Sequence, residues 1–206
     1  MRNKGIEYLT SECKRNLDVI GAVALGSLAI PVATGLSMLS AIDTNDHPIF
    51  IQSRVGSKGQ NFDVKKIRTL NRDSVNQDPM MRGSVDQRAS RFGNFLRKTG
   101  LDELPQLANV FSGDMSLVGP RPIIEEDLNY IQEADALMFN DWYEVYTLTR
   151  PGLTGPSQLY RKGVAHSLDS WKSSMQLDLV YADKATLGGD IKLLGITPLK
   201  LMQCRR

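Results

Sequence analysis

"VIGAVALGSLAIPVATGLSMLSAI", Val19 to Ile42, carries no charged residue over a length sufficient to cross a bilayer, which takes about 20 apolar residues. The composition predicts a membrane segment. A secretory signal peptide fits less well, because the apolar run is long, begins well inside the chain and leads to no small-residue cleavage site. Pro31 stands almost at its centre, flanked by Gly26 and Gly35. A proline removes a backbone donor and clashes with the carbonyl four residues back, here Ser27, so a kink is expected.

Two topologies follow from the residues. All but four of the 25 Lys and Arg residues (Arg2, Lys4, Lys14 and Arg15) come after the segment. A spanning helix would separate Lys14 and Arg15 from the rest. A bent helix that enters and leaves on one face keeps both basic sets on the cytoplasmic side, which Lys and Arg prefer. On the residues alone, re-entrant and spanning arrangements stay open.

The remainder bounds the class. With 206 residues, 41% hydrophobic and 23% charged, the chain has room for one ordinary core. A net charge of +2 argues against a strongly basic nucleic-acid binder, and no nucleic-acid partner is expected. Cys13 and Cys204 lie near opposite ends, and His47 and His166 have no ligand in register, which predicts a reducing compartment and no zinc site.

After Asp43 the chain turns polar. "HPIFIQSRVGSKGQNFDVKKIRTL" predicts two short extended segments around Gly-Ser-Lys-Gly. Asn71 to Asp86 reads as a loop. Arg88 to Lys98 predicts a helix with Phe92, Phe95 and Leu96 on one face. Ile123 to Phe139 predicts another, with Glu125, Glu126 and Asp127 in its first turn at the positive end of the dipole. "RPGLTGPSQ", Arg150 to Gln158, reads as a structured loop, Ser170 to Asp183 as a helix, and Leu187 to Met202 as an apolar-basic stretch interrupted by Pro198. That tail is expected to be a core helix followed by a short membrane-surface helix, with simple packing the alternative. Trp142 and Trp171 stay open between core and interface.

The chemistry concentrates in "TGLDELPQLANVFSGDMSLVGPRP", Thr99 to Pro122. Asp102 reads as the N-cap of a helix packed through Leu107, Val110 and Phe111 and closed by Gly113. Capping alone explains Asp102. It explains less well why Arg97, Lys98 and Arg121 flank the same turn. A helix start edged by arginines suits anions, and a carboxylate inside it suits metal binding or attack on phosphorus.

"LRKTGLDELPQLANVFSGDMSLVGPRP" resembles the signature block of the bacterial sugar transferases, the monotopic phosphoglycosyl transferases. The likeness extends to "CKRNLDVIGAVALGSLAIP", "RVGSKGQNFDVKKIRTL", "RPGLTGPSQ" and "QLDLVYADKATLGGDIKLL", in order along nearly the whole chain. It implies a catalytic nucleophile at Asp102 and a partner acid at Glu103. It implies phosphate-binding residues at Lys66, Arg97 and Arg121, with Pro120 and Pro122 fixing the backbone. Mg²⁺ is the implied cofactor, bridging Asp102 and the diphosphate. Implied partners are a UDP-sugar, polyprenyl (undecaprenyl) phosphate and membrane lipids, with a homodimer and downstream glycosyltransferases left open.

The implied reaction transfers a sugar 1-phosphate to the lipid phosphate through a covalent aspartyl intermediate, releasing UMP, at the cytoplasmic face of the bacterial inner membrane. Pro31 matches the proline of the family's re-entrant helix, although Ile30 stands where a serine often precedes it. Pro156 and Ser157 also depart from the residues common after Thr-Gly. The expected fold is α+β and mainly helical. A Pro-kinked re-entrant helix hairpin over residues 1–43 precedes one compact cytosolic catalytic domain over 44–206, with a short β-hairpin and membrane-surface helices. The likeness is to the small form, without the larger members' extra amino-terminal membrane domain. An inactive scaffold for glycan assembly and a nucleotide-sugar hydrolase are the alternatives.

Overall fold

The computed structural model describes residues 4–70, 89–160 and 167–204. Helix α1, Lys4–Leu9, rests on the carboxyl end of α8 (Leu168–Lys184), so closely that a Cβ on Gly5 would fall 2.1 Å from the Ala182 carbonyl oxygen. Ser11 then caps α2, Glu12–Thr44, by accepting the Lys14 amide at 3.2 Å. Among the described residues α2 is the one helix long and apolar enough to cross a membrane.

Helix α2 runs unbroken through Pro31. The Ser27 hydroxyl donates to the Ala24 carbonyl at 2.8 Å, and Thr34 donates to Ile30 at 2.9 Å. The middle of the helix leaves its apolar side chains uncovered, with Leu28 76% and Ile30 66% exposed. Both ends are tied to the same globular body. Near the start, Ala22 packs with Val110 and Leu117, and Arg15 donates to the Val110 and Phe111 carbonyls, each at 2.8 Å. Near the end, the Ser40 hydroxyl donates to the Arg68 carbonyl, and the Ser90 hydroxyl donates to Asp43.

Lys14 and Arg15 are therefore not solvated flanking charges. Lys14 is buried, bonded to Asp18 at 3.0 Å and to Asp190 at 2.9 Å. Asp18 also accepts the Ser116 hydroxyl at 2.9 Å and the Leu117 amide at 3.0 Å. Asp190 accepts from Tyr8 at 2.9 Å and Tyr181 at 2.7 Å. Burial, reinforced by Asp190, pushes both phenols above the usual tyrosine range. A buried lysine is tolerated only when its charge is met in this way.

The expected extended segments form an antiparallel hairpin of β1, Ile49–Val55, and β2, Asn61–Ile67, with Ile49 opposite Ile67. Its turn carries Lys58 at φ 59° and Gly59 at φ 68°. Helix α3, Arg91–Thr99, starts later than the expected Arg88 because Ser90 caps it. Its apolar face also divides: Leu96 is buried while Phe95 stays exposed. The segment Asn71 to Asp86 lies outside the described residues.

After α4, Leu107–Ser112, strands β3, Ser116–Val118, and β4, Gly152–Thr154, pair in parallel, so the Arg150–Gln158 loop contains a strand and the start of α7, Pro156–Tyr160. The single helix expected over Ile123 to Phe139 is two, α5 Glu125–Ala134 and α6 Ala136–Leu148. Asp135 leaves the helical region at φ −156° and caps α6 through the Met138 amide, because its short carboxylate competes with helix continuation. Helix α9, Leu187–Cys204, continues through Pro198, where an interruption was expected. Trp142 and Trp171 belong to the core, with Phe139, Tyr146 and Met175. Buried Asp178 accepts the Trp142 indole N–H at 3.2 Å, and burial pushes its carboxyl up to about 7.

Candidate active site

The acidic pair lies in a tight turn rather than at a helix cap. Helix α3 ends on Gly100 at φ 74°, a left-handed conformation that glycine adopts without strain. The chain then winds as a 3₁₀ helix over Leu101–Gln106. Pro105 explains the tight winding, since it offers no N–H and disfavours α geometry at Leu104. Asp102 thus sits inside the turn, and the cap position is Gly100, which lends no side-chain bond. Gly113 closes α4 at φ 99° as expected, but Phe111 is exposed rather than packed.

Asp102 is 7% exposed, an unusual placement for a carboxylate. Glu103 is half-buried and meets Lys66 of β2, Nζ to Oε1, at 3.3 Å. The strand lies along the acidic turn because Asn109 clamps it. The Asn109 side-chain amide donates to the Asp63 carbonyl at 2.8 Å and accepts the Lys65 amide at 3.4 Å. Arg97 stands in the last turn of α3, three residues before Gly100, and its Nε donates to Thr69 Oγ1 at 2.7 Å.

Pro120 to Pro122 form a strap held from several directions. Gly152 N–H donates to the Pro120 carbonyl at 2.7 Å, and Arg54 donates to the Pro122 carbonyl at 3.3 Å. The Val55 amide donates to the Ile123 carbonyl at 2.9 Å, and Tyr146 donates to the Val55 carbonyl at 2.6 Å. Arg121 is half-buried between these anchors, and among the described residues it forms no hydrogen bond or ion pair with Asp102 or Glu103. The structure brings Lys66 onto Glu103, next to Asp102, and puts Arg97 in the helix that leads into the same turn, while Arg121 stands on the separately anchored strap.

The donor set bears on a metal. Among the described residues no group of three or more His, Cys, Asp or Glu side chains forms a ready cage. Two adjacent carboxylates, one buried, remain. That set fits Mg²⁺, which keeps waters and takes one or two protein carboxylates together with substrate phosphates. Chemically, a buried carboxylate whose neighbour Glu103 carries a lysine, in a turn that follows an arginine-bearing helix, suits an anionic substrate, and a carboxylate there can attack an electrophilic phosphorus or hold its counter-ion.

Asn109 is the group at this site that the sequence reading passes over. Asn109 leaves a trace there, as a lone amide within the apolar "LANVF".

Comparison with known proteins gives the family. The profile of the family described as bacterial sugar transferase matches residues 9–204. A UDP-galactose-lipid carrier transferase of Erwinia amylovora is 34% identical over 88% of this chain and 38% of its own length. A UDP-N-acetylgalactosamine-undecaprenyl-phosphate N-acetylgalactosaminephosphotransferase of Aeromonas hydrophila is 30% identical over 88% of this chain and 41% of its own. A UDP-glucose:undecaprenyl-phosphate glucose-1-phosphate transferase of Caulobacter vibrioides is 32% identical over 88% of this chain and 66% of its own. The chain therefore spans from about two fifths to just under two thirds of these relatives. With nearly its whole length matched by the profile, the chain belongs to the bacterial sugar transferase family.

Proposed function

We propose that this chain transfers a sugar 1-phosphate from a UDP-sugar to undecaprenyl phosphate and releases UMP, so opening the assembly of a membrane-linked glycan. The observation that carries the reading is a buried Asp102 in a proline-tightened turn, with Lys66 on its neighbour Glu103 and Arg97 at the entrance to the turn. The names of the three relatives support the substrate classes.

In this reading an Asp102 oxygen bonds to the sugar-bearing phosphorus while the bond from that phosphorus to the bridging oxygen breaks. UMP leaves with that oxygen and its electron pair. A phosphate oxygen of undecaprenyl phosphate then attacks the same phosphorus, and Asp102 departs as a carboxylate. Lys66, Arg97 and Arg121 hold phosphate oxygens, and Pro120 and Pro122 keep Arg121 on a fixed backbone. Glu103 orients Lys66 and manages charge beside the nucleophile. Asp102 would hold Mg²⁺, which when bound would supply charge neutralisation at the diphosphate. The covalent relay separates two anionic substrates in time.

Helix α2 serves as a re-entrant membrane anchor with its ends and the active site on the cytoplasmic face of the inner membrane. Supporting this are the uncovered apolar middle of α2 and the attachment of both ends to one globular body. A crossing helix would carry its two ends to opposite sides. In a protein lacking native cysteines, labels at Glu7 and Gln60 should react from the cytoplasmic side only, and reaction of either from outside would overturn this topology. The reaction is tested by UMP release from UDP-glucose, UDP-galactose and UDP-N-acetylgalactosamine, with and without undecaprenyl phosphate. Lipid-dependent release is expected; lipid-independent release indicates a hydrolase, and none indicates a scaffold. Without lipid, a labelled sugar phosphate should remain on the protein and be released by hydroxylamine, as acyl phosphates are.

A further inference from the structure

Thr69 carries a short, charge-assisted contact from the Arg97 guanidinium, 2.7 Å from Nε to Oγ1, at the strong end of the range for such bonds. The acceptor is immobile. Thr69 is buried, and its predecessor Arg68 is fixed at four points. The Arg68 amide donates to the Pro48 carbonyl at 2.8 Å, its Nε to the His47 carbonyl at 2.8 Å, its guanidinium pairs with Asp46 at 3.3 Å, and its carbonyl accepts the Ser40 hydroxyl. On the other side Leu70 bridges to Ala89. Helix α3 also presses onto Thr69, so that a Cβ on Gly93 would lie 2.4 Å from the Thr69 carbonyl oxygen. The contact therefore joins the helix that carries Arg97 to a rigid strand end, one turn of chain from the acidic pair.

We infer that Thr69 is a positioning residue that aims Arg97 at a phosphate of the sugar nucleotide. This rests on the transferase reading. A free arginine side chain gives up much of its rotamer freedom when it is fixed. Fixing part of it before the substrate arrives strengthens binding without adding a contact to the ligand. The threonine hydroxyl suits this task because it accepts at a fixed place and adds no competing charge. The role is specific to the hydroxyl, so valine, which keeps the β-branched shape, removes it, and serine restores it.

The test uses the full chain in nanodiscs with saturating undecaprenyl phosphate and the preferred UDP-sugar of the three. Thr69→Val should raise KM for the UDP-sugar about tenfold and leave kcat within about twofold, while Thr69→Ser should stay within about threefold of wild type in both. In an Arg97→Ala background, Thr69→Val should cause no further loss, since its effect passes through Arg97. The inference is overturned if Thr69→Val leaves KM unchanged, if serine fails to rescue, or if valine costs the same with and without Arg97. A wild-type protein that releases no UMP would defeat the transferase reading instead. Equilibrium binding of UDP then decides the positioning role: Thr69→Val must weaken it, and Thr69→Ser must not.

Discussion

Among the described residues, two of the charged clusters are built on opposite terms. Lys14, Asp18 and Asp190 are sealed from water, bonded at 2.9 to 3.0 Å, and ringed by Tyr8, Tyr181, Ser116 and the Leu117 amide. Lys66 and Glu103 meet at 3.3 Å with about a fifth of each side chain in solvent. In the first cluster each charge is met by fixed protein groups, so removing one leaves the others stranded. In the second the pairing is loose and open, so a ligand can displace it at little cost. Charge sealed in among fixed protein partners reads as architecture, and loosely held charge beside a buried carboxylate reads as chemistry.

The widest separation between the two is expected at Asp102. Asp102→Asn should reduce UMP release by at least about a thousandfold while the unfolding midpoint in urea stays close to wild type. Near-normal lipid-dependent turnover in a folded variant would return Asp102 to a structural role. On the sealed side, Lys14→Met leaves Asp18 and Asp190 buried without their cation, and should cost about 3–5 kcal/mol of stability by chemical denaturation. A smaller loss would mean that water reaches the cluster.

A third measurement asks whether burial alone makes a group structural. Burial pushes the Asp178 carboxyl up to about 7, from an ordinary value of 3.8. Below about pH 4 both states carry the proton and its stabilising contribution is complete. Between about pH 4 and 7 the unfolded chain ionises first, so stability should fall as pH rises through that window. Asp178→Asn, which can still accept from Trp142, should flatten this slope. The smallest effect belongs to the open pair: Lys66→Met should change stability by no more than about 1 kcal/mol and yet weaken UDP-sugar binding. A large stability loss there would erase the distinction.

Much of this was legible in the sequence, for reasons that can be named. The apolar run, the hairpin around Gly56–Gly59 and the Gly113 stop are local signals, carried by composition and by residues that tolerate positive φ. The acidic turn was found, but its geometry was not, because Pro105 acts on Leu104 and converts an expected cap into a 3₁₀ winding. Asp135 was hidden inside a continuous apolar period and splits one helix into two. Lys14 looked like a membrane-flanking charge because its partner Asp190 is distant in sequence, and only the fold brings them together. The same holds for Thr69 and Arg97, 28 positions apart.

The sealed cluster also sets an order of events during synthesis. Tyr8 and Asp190 are 182 positions apart in the chain, which at typical elongation rates of about 5–20 residues per second is roughly 10–40 s of translation. Throughout that interval Tyr8 and Lys14 are made but lack the carboxylate that completes their surroundings. The apolar stretch that follows them is finished early and has no domain to shelter it, so entry into the bilayer can precede closure of the globular body. The start of α2 can already pack on α4 and β3, but only when α9 emerges does Asp190 reach Lys14, which makes α9 the element that completes the cluster, and a chain ended before Asp190 should be less stable than the full chain.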